Sequence, residues 1–206
     1  MNDDQTFQVA LIVGFLVVFP IAFYHRVRSQ ATGEALDRRQ EGPLLLLTVR
    51  PIGLVFMVSL VAYAIDPRWL AWASVPLPAA VRWAGVVAFG IAAVLLLWTM
   101  RTLGPNLTDT VVTRKAHTLV TRGPYRWVRH PFYLSVALLI AGSSLAAASW
   151  YLPVVGATFL SFIVLRTRIE EEKLVARFGD AYRVYMKDTG RFWPRLTRRV
   201  TDGVQT

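Results

Sequence analysis

The sequence predicts an all-α integral membrane protein: five transmembrane helices with a cytosolic C-terminal cap helix. Three observations carry that expectation. The 206-residue chain is 54% hydrophobic with a mean hydropathy of +0.42, too apolar for an ordinary soluble domain. Its apolar residues gather in runs near the ~20 residues that a helix needs to cross ~30 Å of hydrocarbon at ~1.5 Å per residue. Its basic residues collect on one side of those runs.

The first run, Phe7–Tyr24, holds no charge. Asp3 and Asp4 precede it and Arg26 and Arg28 follow it. That order is unlike a cleaved signal peptide, and it sets the N-terminus outside and the 25–50 loop inside. The second run, Leu44–Ile65, is interrupted by Arg50-Pro51, so its helix either begins at Pro51 or kinks there. The third is roughly Val81–Met100, with Arg82 near one end. The fourth and fifth, Pro131–Ala148 and Trp150–Leu165, are short and nearly continuous, and read as a tight antiparallel hairpin. Residues 166–186 follow as an amphipathic helix, with Ile169, Leu174, Phe178, Tyr182 and Tyr185 forming a broad apolar stripe.

Of the 23 Lys and Arg residues, only Arg68 and Arg82 fall in the predicted outer connection. The C-terminus and both polar segments beside the hairpin are therefore expected at the cytoplasmic face of a bacterial-type inner membrane. No internal repeat or flexible linker divides the chain. Residues 1–206 read as one membrane domain, with three spans in 1–100. A polar loop, the hairpin and the amphipathic helix occupy 101–194.

Composition also excludes chemistries. With no cysteine there is no disulfide, iron–sulfur cluster or thiol nucleophile. His25, His117 and His130 are far apart without ligand spacing, so no metal is expected. The +10 net charge reports topology and attraction to anionic lipid heads. No aromatic–basic stacking platform accompanies it, so no nucleic-acid partner is expected.

Residues 101–130 are too polar to span and carry the turn signals Gly104-Pro105-Asn106, Arg114-Lys115 and Gly123-Pro124. His130-Pro131 starts a helix, because proline suits the first helical position. The N–H groups there suit a carboxylate or phosphate. His130 and Tyr133 share a face of that first turn, and Arg166 and Glu170 share a face at the other foot of the hairpin. The hairpin therefore brings two polar segments together. A simpler reading stays open at this point. Arg126, Arg129 and His130 also fit membrane-flanking cations, Tyr125, Trp127 and Tyr133 interfacial aromatics, and Glu170–Lys173 a solvated face. Against it, acids are not needed as flanks, and rim-level Arg and Glu carry a functional prior.

The run His117-Thr-Leu-Val-Thr-x-Gly-x-Tyr-x-Trp-x-Arg-His-Pro-x-Tyr133 precedes the hairpin, and Arg166-x-x-x-Glu-Glu171 and Phe178-Gly-x-x-Tyr-x-x-Tyr185 follow it. Together they resemble the isoprenylcysteine carboxyl methyltransferase family, within a superfamily that includes phospholipid N-methyltransferases. The likeness covers about 117–194. It implies an integral-membrane enzyme that uses S-adenosyl-L-methionine and releases S-adenosyl-L-homocysteine without a Rossmann domain. By resemblance, His117, Thr118, Leu119 and Val120 line the cofactor. Tyr125, His130, Pro131, Phe132 and Tyr133 continue that wall, and Glu170 is the cofactor-binding acid. Arg166 is the substrate-binding, catalytic arginine.

The implied acceptor is lipophilic, a membrane lipid or prenylated molecule, with a carboxylate of isoprenylcysteine type. Such a transfer is an in-line displacement that needs alignment and electrostatics rather than a nucleophilic side chain. Against the eukaryotic prenylcysteine enzymes, the expectation is a protein without their extra N-terminal spans, and Leu134-Ser135 follows the His-Pro-x-Tyr motif. Other classes share parts of the pattern: a phospholipid amine N-methyltransferase with Glu171 beside the amine, an NADPH-dependent membrane sterol or enone reductase, and a non-catalytic accessory membrane protein.

Overall fold

The computed structural model describes residues 3–30, 43–104 and 118–195. His117, Pro105-Asn106, Arg114-Lys115, residues 31–42 of the first loop and residues 196–206 lie outside the described residues. The described residues form α1 (Asp3–Gln30), α2 (Pro43–Ile65), α3 (Ala79–Leu103), α4 (Pro131–Ala146), α5 (Tyr151–Phe178) and α6 (Asp180–Asp188). Short 3-10 turns at Pro67–Ala73 and Gly123–Arg126 complete the order. Among the described residues there is no strand, only two isolated bridges.

Four helices, α1, α2, α3 and α5, are long and apolar enough to cross a membrane, and α4 is a shorter apolar helix of 16 residues. Their outward faces expose large apolar side chains, among them Leu16, Leu54, Val94 and Leu165. A surface of that kind suits hydrocarbon rather than water. The inner contacts rely on small residues. A Cβ added to Gly85 would sit 2.6 Å from the Ala146 backbone nitrogen, and one added to Gly142 would sit 2.6 Å from that of Phe89. The α3 and α4 backbones thus meet directly, the close approach that glycine permits between membrane helices.

The helix ends sort into two groups. At one end, buried Arg82 of α3 pairs with Asp4 of α1, donates to the Ala146 carbonyl at the end of α4 and lies 4.0 Å over the Phe7 ring. The α2–α3 connection joins the α4–α5 turn there, with Val75 N donating to Ala148 O at 2.8 Å and Trp150 N to Ala73 O at 3.0 Å. The opposite end holds the close of α3, the start of α4 and the polar half of α5.

One expectation narrows and another changes. Of the two readings of the second run, a start at Pro51 is excluded: α2 begins at Pro43 and continues through Pro51. Proline removes one donor, and the loss is tolerated where a neighbouring helix holds the segment: Gly53 lies so close to α5 that a Cβ would come 2.9 Å from the Phe159 ring. Residues 166–186 are not a separate helix. The apolar hairpin arm and the charged stretch after it are one continuous α5, which ends at Gly179 with φ +56°. A change of polarity does not stop a helix; a left-handed glycine does. Within the expected apolar stripe, Tyr182 and Tyr185 are buried, whereas Ile169 is 50% exposed.

Candidate active site

Three stretches build a polar cluster at one end of the bundle: residues 123–133, the α5 segment around 163–171, and the strap 185–192. Gly123 opens the first stretch with φ +59°, and a Cβ there would lie 2.6 Å from Thr102 Oγ1. Conformation and space both require glycine at that turn. Pro131 then occupies the first position of α4, where its missing N–H costs nothing. The strap returns alongside: Arg129 N donates to Gly190 O at 2.9 Å, His130 N to Arg191 O at 3.1 Å, and Gly190 N to Trp127 O at 3.3 Å. Tyr185 Oη donates to Tyr125 O at 2.6 Å. Burial pushes the Tyr185 phenol up to about 12 and also raises that of Tyr125, so both are neutral at physiological pH.

Consecutive acids on α5 face two different partners. Glu171 is buried, 4% exposed. One of its oxygens lies 2.8 Å from Arg129 Nε and 3.2 Å from His130 Nε2; the other accepts from Arg191 Nε at 3.1 Å and also from Arg191 Nη2. Arg129 further donates to the carbonyls of Met186 and Thr189. The carboxylate in turn holds the Arg191 guanidinium above its ordinary value. These bonds join helix, loop and strap at one point.

Glu170 is only half-buried. Its Oε1 accepts from Tyr133 Oη at 2.6 Å. Arg166 Nε lies 3.1 Å from the same oxygen, near enough to pair charge, yet its N–H has no acceptor in line. We therefore treat the pair as an electrostatic contact, not a hydrogen bond. The second oxygen, Oε2, is 3.7 Å from His130 Nδ1, beyond hydrogen-bonding distance. The His130 ring thus stands between two carboxylates, stacked on Tyr133 at 5.4 Å and against Phe192 at 5.7 Å. Beside this cluster lie the apolar side chains of Val49, Phe159, Phe162 and Ile163.

The structure therefore brings His130, Pro131, Tyr133, Arg166 and Glu170 together, with Tyr125 tied in through Tyr185. Phe132 is exposed and touches the cluster through an edge contact with Tyr133 at 5.8 Å. Thr118 is exposed, and Leu119 and Val120 are half-buried. Leu119 and Val120 are not part of the hydrogen-bonded cluster among the described residues. In the sequence, Arg129 fits either a membrane flank or the Arg-His-Pro motif, Glu171 either a solvated face or an acid beside an amine acceptor, and Arg191 carries no signal. The Arg-His-Pro run and the strap of mixed polarity are the available signals, and the Val128–Gly190 pairing that helps join them leaves no pattern in either. Among the described residues, no group of three His, Cys, Asp or Glu side chains could hold a metal ion.

Known proteins resemble parts of this chain. Residues 84–176 match the model of the isoprenylcysteine carboxyl methyltransferase family. Methanethiol S-methyltransferase of Mycobacterium tuberculosis is 32% identical over 126 residues, 61% of this chain and 46% of that protein. Protein-S-isoprenylcysteine O-methyltransferase of Xenopus laevis is 33% identical over 126 residues, 59% of this chain and 41% of that protein. The chain thus spans less than half the length of both relatives. The solved structure of a eukaryotic intramembrane Ras methyltransferase, an isoprenylcysteine carboxyl methyltransferase, superposes with a TM-score of 0.56 at 20% identity, covering 91% of this chain and 67% of that one. At that identity the likeness speaks for the fold.

Proposed function

We infer that this chain, a member of the isoprenylcysteine carboxyl methyltransferase family through residues 84–176, is an integral-membrane methyltransferase for a lipophilic acceptor. The observation that carries the reading is the Tyr133–Glu170–Arg166 cluster, set beside apolar side chains at the rim of the helical bundle. S-adenosyl-L-methionine is the proposed cofactor, and the donor set fits it. Glu170 Oε2 is an anionic acceptor with no hydrogen-bond partner among the described residues, suited to an ammonium or ribose hydroxyls. Arg166 Nε is a buried donor without an acceptor, suited to a carboxylate. Bound, the cofactor supplies an electrophilic methyl group on a sulfonium sulfur, with S-adenosyl-L-homocysteine as the product.

The chain's own residues bind and orient. Glu170 and the wall formed by Tyr125, His130, Pro131, Phe132 and Tyr133 hold the cofactor, with Thr118, Leu119 and Val120 at the near edge; His117 joins them by resemblance. Arg166 aligns the acceptor carboxylate, which is already a nucleophile at neutral pH and needs no general base. Val49, Phe159 and Ile163 keep water from one side and leave room for an apolar tail toward the bilayer. The bacterial-type relative favours a second acceptor class, a small thiol.

The topology we propose has five crossings, with the N-terminus outside and the site at the cytoplasmic face of an inner membrane. Its support is the alternation of helix ends and the scarcity of basic residues at the Arg82 end. Calorimetry on the purified protein tests the site. Glu170→Gln is expected to weaken S-adenosylmethionine binding by about 1.5–3 kcal/mol, roughly 10- to 150-fold, and His130→Ala to weaken it as well. Unchanged affinity in both variants would mean that the pocket lies elsewhere. Transfer of labelled methyl to a farnesylated cysteine rather than to methanethiol or phosphatidylethanolamine decides the acceptor.

A further inference from the structure

The polypeptide that lines the candidate site on one side lines an apolar cleft on the other. Leu95 of α3, Pro124, Trp127, Val128, Leu134 of α4 and Pro194 of the strap line an open cleft of about 240 Å³. All six side chains are apolar. Tyr133 faces Glu170, and the next residue, Leu134, faces the cleft about 100° further round the helix. The 124–134 segment is therefore a wall between the two, and a chain lying in the cleft does not present its end to Glu170.

The rim of the cleft is cationic and aromatic. Trp127 is 40% exposed and meets Trp98 edge-on at 5.5 Å. The exposed Arg126 guanidinium lies 4.0 Å over the Trp127 ring and has no acidic partner among the described residues. A tryptophan pair marks the level of lipid head groups, with hydrocarbon on one side and water on the other. An apolar slot at that depth suits an acyl chain, and a free guanidinium at its mouth suits the phosphate joined to that chain.

We propose that this cleft binds one acyl chain of an anionic phospholipid, whose phosphate is held by Arg126. The bound lipid buttresses the segment that carries His130 and Tyr133, so that the membrane's composition supports the site from behind. Charge complementarity selects this occupant over a neutral lipid, and the intervening wall selects it over the tail of a methyl acceptor.

Native mass spectrometry of the full chain tests the proposal without any reference to methyl transfer. The protein is released from detergent micelles carrying equal amounts of dioleoyl phosphatidylglycerol and dioleoyl phosphatidylcholine. One phosphatidylglycerol is expected to be retained about fivefold in preference, the effect of one basic side chain beside an anionic head group. Arg126→Gln brings the ratio to near one, and Leu134→Trp, which fills the slot, lowers retention of both lipids. Equal retention by the parent protein, or an unchanged ratio in Arg126→Gln, overturns the proposal. So does displacement of the phosphatidylglycerol by farnesylcysteine, which would give the cleft to the acceptor. Arg126 is exposed, so its variant decides the matter even if Leu134→Trp does not fold.

Discussion

Glu171→Gln changes one buried charge and almost nothing in shape, and the structure fixes what that removes. The carboxylate is the shared partner of Arg129 at 2.8 Å, Arg191 at 3.1 Å and His130 at 3.2 Å. The Arg129 side chain is itself only 8% exposed, and its remaining acceptors are the neutral carbonyls of Met186 and Thr189. A glutamine amide offers one acceptor oxygen and turns its N–H groups toward the second guanidinium. Removing one partner of a buried ion pair costs about 3–5 kcal/mol, chiefly because the other charge stays buried. Arg191 is partly open to solvent, which places the expected loss near the lower end, about 3 kcal/mol. For a chain of this size the melting temperature should then fall by roughly 6–12 °C. Tryptophan fluorescence during heating in detergent measures it. Adding Arg129→Met removes the stranded charge and should restore more than half of the loss. A single variant within about 2 °C of the parent would refute the argument, as would a double variant as unstable as the sum of its parts.

Arg166→Lys keeps the charge but loses the planar fork, so methyl transfer should fall about tenfold or more while cofactor affinity stays within about twofold. A full-rate lysine variant would reduce Arg166 to a helix anchor. Reporter fusions after residue 120 and after residue 206 should both report the cytoplasm, and a fusion before residue 3 the opposite face. Fusions that place 120 and 206 on opposite sides would overturn the five-crossing reading.

How far the site could be read from the chain depends on which contacts are local. Arg166 and Glu170 are one helical turn apart, and Tyr133 reaches Glu170 because a hairpin with almost no loop must return its arms to the same end. Periodicity and hydropathy suffice for that part. The extent of α5 was harder, because hydropathy marks where the hydrocarbon ends and not where the helix does; Arg166 to Arg177 extend the helix until Gly179 turns it. The Glu171 junction was beyond reach of any such pattern. It depends on residues 127–130 pairing with 190–191 through three backbone bonds, two of which make a single parallel bridge. A pairing that short has no alternation to read. Gly190 is its one local mark, since a Cβ there would run into the Trp193 carbonyl, yet a lone glycine after a helix also reads as an ordinary stop. The local pair, Arg166 and Glu170, keeps an unmatched donor in Arg166 Nε and an unmatched acceptor in Glu170 Oε2 among the described residues. The non-local set, Arg129, Glu171 and Arg191, spends its charges on one another and holds the walls in place. On this division the legible residues are the ones proposed to meet ligands, and the illegible ones are those that join helix, loop and strap around them.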